Sequence, residues 1–516
     1  MGLVYANTAY TQGNKPGKSW YQNKATKDTV GIDLFRAYTD LLKGRVASEI
    51  VVAVIDGGTD ITHPDLRANI WHNPGEIPFN NLDDDHNGYV DDTCGWNFIG
   101  NANGEMVQYD NLEKSRIVKS MMDEFDGVDE MDLEKETAKM AKFKLYQKLK
   151  EEIDKEKEKS EQLLPVYKYL VKMMDDMMEK NNDVIPSKEV IKNFPVNGKR
   201  DANIKAIITS QIEAGSTFDA VYLEFKNGVE HLEAIVNYHC NIYYDSRKIV
   251  GDHYLNSGEK YYGNPNVSGP DAAHGTHVAG IIAAVRNNNY GMNGIADHVK
   301  IMVVRVVPNG DERDKDVANG IRYAVDNGAK IINMSFGKEF KWNKAVVDSA
   351  VNYAVSKGVL LIHAAGNDNK DVDYVPNYPN DSLGDNLFAK TWIEVGASAL
   401  QKRKLPATFS NYGAHNVDLF APGYQIYSTI PDEKFDFFDG TSMAAPVTSG
   451  VAALVWSYFP KLTAEELKFV LMQSATKVKK SVPKPGGGKA KFSKLSVSGG
   501  VLNAFSAIKL AKTMAP

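Results

Sequence analysis

Cysteine is scarce in this sequence. Only Cys94 and Cys240 occur among the 516 residues, which excludes a disulfide-rich scaffold and a zinc site built from four thiolates. The two thiols can form a single bridge, or they can remain unreactive buried side chains. The sequence leaves both alternatives open.

Long apolar runs are also missing. No stretch reaches the ~20 consecutive apolar residues that a membrane-spanning helix needs, so a spanning segment is not expected. Residues 1–6 lack the basic and apolar regions of a secretory signal. We expect either that the chain is not exported or that a leader was removed, and the sequence does not separate the two.

Neither sign of charge dominates. The 60 basic and 66 acidic residues give a formal net charge of −6, which provides no field that would attract nucleic acid or an anionic membrane. Hydrophobic residues make up 43% and charged residues 24% of the chain, a balance that permits a large buried core and excludes wholesale disorder. Partners must therefore be inferred from individual sites.

Short runs rich in β-branched residues alternate with helical patterns through much of the chain. The run at 49–56 is apolar and ends in a carboxylate, as expected for a buried parallel strand that opens into a loop. Similar runs occur at 301–307, 330–334, 359–364 and 392–397, and helical patterns lie between them at 317–327 and 344–357. This alternation predicts an α/β fold with a doubly wound parallel sheet.

A different composition, rich in Lys and Glu and poor in strand signals, occupies residues 104–245. Apolar residues at helical spacing over 130–181, interrupted by Pro165, predict a helical hairpin or small bundle. This region also carries paired methionines, which either pack between its own helices or form an adaptable binding surface: Met173, Met174, Met177 and Met178. The predicted sheet is thus interrupted by a large helical insertion.

The strongest chemical motif is a serine at a turn that opens a helix. Ser442 lies in Gly-Thr-Ser-Met-Ala-Ala-Pro at 440–446, where its own N–H and the helix dipole favour an oxyanion. A serine hydroxyl needs a base within hydrogen-bond reach, and His274, flanked by small residues, is the candidate. Asp56, at the end of the first predicted strand, can fix the tautomer of that imidazole.

A second histidine, His277, follows His274 by one helical turn. We expect it to make a structural hydrogen bond. The alternative is a zinc site shared by the two histidines, although no third ligand is evident nearby.

The segments around Asp56, His274 and Ser442 resemble the signatures of subtilisin-like serine proteases, the subtilase or peptidase S8 family. Their order along the chain also matches that family. The resemblance covers about 31–102 and 245–510, and it implies a serine endopeptidase that hydrolyses extended peptides or proteins through an acyl-enzyme. The alternative is a catalytically silent binding protein that keeps the fold and captures a partner with its helical insertion.

The resemblance also implies a domain layout. The catalytic domain is expected in two parts, 31–103 and 246–516, with an N-terminal extension at 1–30 and the helical insertion subdomain at 104–245. Family members are usually made with an inhibitory propeptide, for which the residues before Asp56 are too few. Either the propeptide was cut away or this enzyme folds without it. We expect an enzyme that is exported, to the medium, the periplasm or the cell surface, with its leader absent from this chain; the alternative is an intracellular processing protease without a propeptide.

Substrate-binding residues follow from the same resemblance. Asn367, at the end of His-Ala-Ala-Gly-Asn, matches the oxyanion-hole asparagine. A segment similar to the family's peptide-binding strand is formed by Ser335, Phe336 and Gly337. The walls of the S1 pocket are expected at Ala364, Ala365 and Gly366.

Calcium is the expected cofactor, because subtilases often hold it as a structural ion. One acidic loop places oxygen side chains at alternate positions before the turn at Gly88, and its candidate ligands are Asp83, Asp85, Asn87, Tyr89 and Asp91. Cys94 occupies the place of an EF-hand's closing glutamate, so a merely solvated acidic turn is the alternative. A second candidate site pairs Asp65 with Asn288.

Overall fold

The structure is a computed structural model that describes residues 16–133, 137–384 and 386–515. These residues divide into two compact units. The α/β unit comprises Pro16–Gln108 and the residues from Ser246 onward, and the helical unit comprises Tyr109–Asp245. Of the predicted N-terminal extension, residues 1–15 lie outside the described residues, whereas Trp20 and Tyr21 are buried in the core of the α/β unit.

The strands are β1 Ile50–Asp56, β2 Gly95–Asn97, β3 Val299–Arg305, β4 Ile331–Met334, β5 Leu360–Ala364, β6 Trp392–Ser398, β7 Leu419–Pro422, β8 Ile426–Ile430, β9 Lys434–Phe438, β10 Thr476–Lys477, β11 Ser481–Pro483, β12 Lys489–Lys491 and β13 Gly500–Val501. The α-helices are α1 Leu34–Arg36, α2 Glu113–Phe125, α3 Thr137–Glu179, α4 Lys188–Asn193, α5 Gly198–Glu213, α6 Phe218–Ala234, α7 Arg247–Val250, α8 Ala273–Ala283, α9 Asp314–Asp326, α10 Lys344–Ser356, α11 Thr441–Tyr458, α12 Ala464–Ser474 and α13 Ala504–Met514.

The predicted doubly wound parallel sheet is confirmed. In the described part of the chain, nine strands form one sheet in the order β10-β13-β7-β6-β5-β4-β1-β3-β2. All neighbouring pairs from β13 to β2 are parallel, and only the edge strand β10 is antiparallel. Strands β8 and β9 form a separate antiparallel hairpin. The sheet therefore presents most of its carboxyl ends along a single edge.

Both faces of the sheet are buried, as its apolar strands require. In β1 the side chains alternate: Val52 and Val54 belong to one apolar cluster, whereas Ala53 and Ile55 belong to the other. Residues of α8 and α11 complete the first cluster, and residues of α9 and α10 complete the second. This two-sided burial fixes β1, and with it the carboxylate at its end.

The helical unit has an apolar core of its own. Its longest helix, α3, has 43 residues and therefore spans about 64 Å, with Pro165 inside it. Three of the paired methionines, Met173, Met174 and Met177, are buried with residues of α5 and α6 in one cluster, and Met178 packs against that cluster. Of the two alternatives for the methionines, packing between the insertion's own helices is the one observed.

Cys94 and Cys240 are both free thiols, so the alternative of a bridge is not realised. Burial raises the pKa of Cys94 to about 11, which makes a reactive thiolate at neutral pH unfavourable. Among the helices of the described residues, none combines the length and apolar character needed to cross a bilayer.

Candidate active site

The candidate catalytic residues come from the carboxyl edge of the sheet and from two helix N-termini. Asp56 is the last residue of β1. His274 lies in the first turn of α8, and Ser442 lies in the first turn of α11. Asn367 follows β5 by a short loop. A parallel sheet collects the ends of non-adjacent chain segments in this way, and here it brings Asp56 and His274 into contact.

Asp56 and His274 form a bidentate contact. His274 Nδ1 lies 2.8 Å from Asp56 Oδ1 and 3.0 Å from Oδ2, and both side chains are buried. The carboxylate is itself fixed, because the Gly57 N–H donates to Oδ1 at 2.7 Å. This arrangement leaves Nε2 as the nitrogen that can accept a proton.

The charge of Asp56 governs the basicity of His274. Burial alone would lower the pKa of the imidazole, but the Asp56 carboxylate outweighs it, and Asp271 adds to the same effect. The pKa of His274 is therefore raised above its usual value of 6.5. General base catalysis is most efficient when the pKa of the base lies near the working pH.

The hydroxyl of Ser442 lies against the predicted substrate-binding segment. Its Oγ donates to the carbonyl oxygen of Ser335 at 2.9 Å, and the residue is half-buried. His274 Nε2 is buried and has no hydrogen-bond partner among the described residues. The sequence predicts the base within hydrogen-bond reach of the serine; the structure instead joins the hydroxyl to the neighbouring carbonyl of Ser335.

Asn367 is oriented by Thr441, a residue whose role the sequence reasoning missed. The Asn367 Oδ1 atom accepts from Thr441 N at 2.9 Å and from Thr441 Oγ1 at 2.9 Å, so the Nδ2 donor faces the opposite way. Gly440 has no side chain. If it carried a Cβ atom, that atom would lie 3.6 Å from Asn367 Nδ2 and 3.5 Å from Ser442 N. Two nitrogen atoms that carry N–H groups therefore lie near one point beside Ser442; an oxyanion site needs donors of this kind.

The predicted peptide-binding segment follows β4. Ser335 and Phe336 are buried, and the Phe336 ring belongs to the apolar cluster shared with α9 and α10, where it meets His363 edge-on with ring centroids 6.3 Å apart. The side chain of Phe336 thus packs into the protein core. The segment is left to present its backbone and Gly337 to a ligand.

The predicted S1 walls are held by further hydrogen bonds. Ala364 and Ala365 are buried, Gly366 is half-buried, and Gly366 N donates to Thr441 Oγ1 at 3.1 Å. Asn411 donates to the carbonyl of Ala365 at 2.8 Å. No sequence pattern points to Asn411, because it lies in a loop without a recognisable motif.

His277 has the structural role expected of it. Its Nε2 lies 3.2 Å from the carbonyl oxygen of Asp436, and its ring stacks on Phe438 with centroids 4.2 Å apart. Burial lowers the pKa of His277 to about 3, so the ring is neutral at physiological pH. The described residues offer no cluster of metal-binding groups around it, and the zinc alternative gains no support.

The acidic loop brings three carboxylates to one place. Ligand atoms of Glu76, Asp83 and Asp85 lie within 4.8 Å of one another. Glu76, which the sequence reasoning missed, is buried, and its Oε2 has no hydrogen-bond partner among the described residues. Burial also raises the pKa of Glu76. A hard, oxygen-ligated cation fits such a donor set.

The other predicted ligands of this loop have their side chains engaged elsewhere. Asp91 accepts from the backbone N–H groups of Asn80 and Asn81, at 3.2 and 2.8 Å. Asn87 Oδ1 accepts from Tyr89 N at 2.8 Å. The Tyr89 ring is buried and contacts other aromatic rings. Of the five predicted ligands, Asp83 and Asp85 alone belong to the carboxylate cluster.

The second candidate site joins Asp65 and Asn288 directly. Asn288 Nδ2 donates to Asp65 Oδ1 at 2.7 Å, and Met292 N donates to Oδ2 at 2.9 Å. Asn288 Oδ1 accepts from Tyr290 N at 3.0 Å. Both carboxylate oxygens thus have N–H donors, which already compensate much of the charge that a cation would otherwise neutralise.

Comparison with known proteins identifies the family. The model of the subtilase family, Peptidase_S8, matches residues 47–491, which is most of the chain. The protein therefore belongs to the subtilase family, the class of subtilisin-like serine endopeptidases.

Individual relatives each match less than half of this chain. The chain is 41% identical to "Thermophilic serine proteinase" of Bacillus sp. (strain AK1) over 36% of this chain and 42% of that protein. It is 39% identical to thermitase of Thermoactinomyces vulgaris over 41% of this chain and 68% of that protein, and 34% identical to subtilisin DY of Bacillus licheniformis over 44% and 77%.

Proposed function

We propose that this protein is an endopeptidase whose catalytic triad is Asp56, His274 and Ser442. The observation that carries the proposal is the buried contact between Asp56 and His274 Nδ1. It leaves Nε2 as a base without a hydrogen-bond partner in the described part of the chain, on the same edge of the sheet as a half-buried serine. Residue types, order along the chain and family membership agree with it.

The proposed reaction is acyl transfer to Ser442 followed by hydrolysis. Ser442 Oγ attacks the scissile carbonyl carbon while its proton passes to His274 Nε2, and Asp56 stabilises the resulting imidazolium. Collapse of the tetrahedral intermediate breaks the C–N bond, and His274 returns the proton to the departing amine. Water then attacks the acyl-enzyme by the same proton route and regenerates Ser442.

Asn367 Nδ2 and Ser442 N are the proposed donors to the oxyanion, because both nitrogens lie near one point beside the nucleophile. The substrate is proposed to be an extended peptide or protein that pairs with the backbone of Ser335, Phe336 and Gly337, with its side chain directed between that segment and Ala364, Ala365 and Gly366. No role for nucleic acid follows from the charge of the chain.

Calcium is proposed as a structural ion at the carboxylates of Glu76, Asp83 and Asp85. Their ligand atoms cluster closely, and the buried Glu76 Oε2, which has no hydrogen-bond partner in the described ranges, supports a cation there. When bound, the ion would supply charge neutralisation that holds the loop in place, with no part in the reaction. Export to the cell surface or medium is proposed from family membership alone.

The test is labelling with an alkyl fluorophosphonate, which reacts with activated serines. Ser442→Ala is expected to abolish labelling and the hydrolysis of unfolded protein substrates. Ser457→Ala is the matched control: Ser457 lies on the same helix, α11, and its hydroxyl bonds to the Leu454 carbonyl, so labelling is expected to be retained. A folded wild-type chain that takes no label would contradict the proposal and favour the binding-protein alternative.

A further inference from the structure

Arg305 is a buried residue next to Asp56 in the sheet, and it has no part in the proposed proton transfers. It ends β3, where its backbone is paired with Asp56 on the neighbouring strand β1. The side chain is 2% exposed. Within the described residues its hydrogen-bond acceptors are carbonyl and amide oxygens and not carboxylates. Because burial of a charge is costly unless polar groups compensate it, the position of this guanidinium needs an explanation.

The guanidinium joins two segments that lie far apart in the sequence. Its Nε donates to the carbonyl oxygen of Gly57 at 2.7 Å. Its Nη1 donates to Asn97 Oδ1 at 3.1 Å and to the Ile99 carbonyl at 3.4 Å, and its Nη2 donates to the Val107 carbonyl. Since the N–H groups of an arginine form a rigid planar fork, these acceptors are held at fixed separations.

A third segment, the loop before the proposed catalytic histidine, packs directly on the guanidinium. A Cβ placed on Gly269 would lie 2.3 Å from Arg305 Nε and 3.0 Å from its Cζ. The φ of Gly269 is +70°, a value that residues with a Cβ rarely adopt. The same loop is bonded to the residues after Asp56, because Ser268 Oγ donates to the Thr59 carbonyl at 3.0 Å.

Gly57 connects Arg305 to the carboxylate of Asp56. The Gly57 N–H donates to Asp56 Oδ1 at 2.7 Å, and the Gly57 carbonyl accepts from Arg305 Nε. A glycine has no side chain to limit the rotation of its peptide groups, so the bond to Arg305 holds the residue whose N–H orients the carboxylate. The carboxylate in turn contacts His274 Nδ1.

The sequence separation of the catalytic pair shows why such an anchor is useful. Asp56 and His274 are 218 positions apart, and the helical unit, Tyr109–Asp245, lies between them in the sequence. Val107 lies shortly before that unit, and Gly269 lies after it. One side chain from β3 therefore contacts both of the segments that flank the helical unit in the sequence, together with the residue that follows Asp56.

We infer that Arg305 is a positioning residue for the proposed reaction: through Gly57 it holds the Asp56 carboxylate in the orientation that contacts His274 Nδ1, and it supports kcat without touching the substrate. This inference rests on the proposed function, because it assumes that Asp56 and His274 are the catalytic pair. It adds a residue that neither the motifs nor the family resemblance supplied.

The first variant is Arg305→Lys, which keeps the positive charge and loses the planar fork. It is expected to lower kcat about tenfold or more and to change KM less than about twofold, because the misplaced group acts on the chemical step. Asp56 raises the pKa of His274, so a less well oriented carboxylate is also expected to move the acid limb of the kcat/KM profile to lower pH. Since the charge at position 305 is unchanged, loss of a nearby cation cannot cause that shift.

Lys300→Met is the matched control for this variant. Lys300 lies on the same strand, β3, near its amino end, and its Nζ donates to the Ala68 carbonyl at 2.7 Å. The control therefore loses a bond from β3 to a backbone carbonyl away from Asp56. Its kcat and acid limb are expected to remain those of the wild type.

Gly269→Ala keeps Arg305 itself and decides the question if Arg305→Lys does not fold. The added Cβ displaces the guanidinium from the Gly57 carbonyl, so kcat is expected to fall several-fold and the acid limb to move to lower pH. Gly251→Ala is its matched control. The φ of Gly251 is +75°, close to that of Gly269, and no described atom lies within 4 Å of its Cβ position, so the backbone strain is alike and the contact is absent.

Fluorophosphonate labelling of Ser442, run on every variant, separates the two levels of the hypothesis. A wild type that labels and cleaves, together with folded Arg305→Lys and Gly269→Ala variants of wild-type kcat, overturns the inference alone. A fall in kcat with an unmoved acid limb, or an equal fall in the control variants, also overturns it. If the wild type neither labels nor cleaves, the proposed function fails and this inference fails with it.

Discussion

Ser442 and Ser335 are joined by two reciprocal hydrogen bonds: Ser442 Oγ donates to the Ser335 carbonyl at 2.9 Å, and Ser335 Oγ donates to the Ser442 carbonyl at 2.9 Å. The hydroxyl of Ser335 is itself oriented by Asn333 Nδ2, at 2.9 Å. The proposed nucleophile is thus bonded to the segment on which the substrate is proposed to bind, and its hydroxyl must leave the Ser335 carbonyl before it can donate to His274.

This relationship predicts that a substrate N–H assists activation of the serine. A peptide N–H that donates to the Ser335 carbonyl competes with the Ser442 hydroxyl for that acceptor and releases it toward His274. We expect a peptidyl phosphonate to inactivate the enzyme several-fold faster than the same inhibitor N-methylated at the residue next to phosphorus, since one hydrogen bond contributes roughly 0.5–1.5 kcal/mol. N-methylation one residue further away is the control; equal second-order rate constants for all three inhibitors would refute the prediction.

The acid limb of the pH–rate profile is predicted from the pKa of His274. Only the neutral imidazole can act as a base, and its pKa is raised above the usual 6.5 because Asp56 outweighs the effect of burial. Activity is therefore lost as pH falls through a value above 6.5. In the Asp56→Asn variant no carboxylate at this position offsets the effect of burial on the pKa of His274. The acid limb of the profile is therefore expected to move to lower pH, and kcat is expected to fall by about 10⁴.

Asp271→Asn is the companion variant for this pH experiment. Asp271 is exposed and contributes a smaller effect of the same sign to the pKa of His274. The limb is expected to shift slightly to lower pH with kcat nearly unchanged. A profile of kcat/KM that is unmoved in both variants would show that His274 is not the titrating base.

Much of the fold was predictable because the spacing of apolar residues along the sequence indicates which side chains are buried. The run at 49–56 is apolar at every core position, and a strand with both faces covered requires this; β1 spans Ile50–Asp56. The packing of Met173, Met174 and Met177 was left open, because an apolar helix face looks the same in sequence whether it meets a neighbouring helix or a partner.

The site was predictable only where a short motif carries the chemistry. Asp56, His274 and Asn367 lie in such motifs. Glu76 lies outside the acidic run that the spacing argument used, and Thr441, although it is inside the serine motif, makes its contacts through a hydroxyl that has many other uses. The loop ligands show the limit of spacing arguments: Asp91 has the right residue type, but the local turn directs its carboxylate to the N–H groups of Asn80 and Asn81.

Removal of the Asn367 amide is predicted to act on the transition state. Asn367→Ala is expected to lower kcat by about 10²–10³ with little change in KM, because the amide donates to charge that develops only during the reaction. Thr441→Val keeps the backbone bond to Asn367 and removes the hydroxyl bond, so a smaller loss of about tenfold is expected. A change confined to KM in Asn367→Ala would contradict the oxyanion role.

Calcium is predicted to raise the unfolding temperature through Asp83 and Asp85. Ligand present at about 100 times its Kd stabilises the folded state by ~2.7 kcal/mol, so chelation should lower the wild-type Tm by a few degrees. Asp83→Asn with Asp85→Asn is expected to abolish the difference between calcium and chelator. Asp84→Asn is the control, because Asp84 does not belong to the carboxylate cluster of the described residues and its carboxylate accepts from Ile77 N and Asn80 Nδ2; loss of the calcium effect in this variant alone would refute the assignment.

The pair Asp65 and Asn288 is predicted to stabilise the protein whether or not calcium is present. Both Asp65 oxygens accept N–H donors, and the carboxylate is buried, so Asn288→Ala removes a bond to a charged group and is expected to cost roughly 1.5–3 kcal/mol. Thermal unfolding of this variant in calcium and in chelator decides between a hydrogen-bonded cluster and a metal site. If the destabilisation is the same in both buffers, the cluster is held by its N–H donors; if it is seen only with calcium, Asp65 and Asn288 are ligands, as the sequence first indicated.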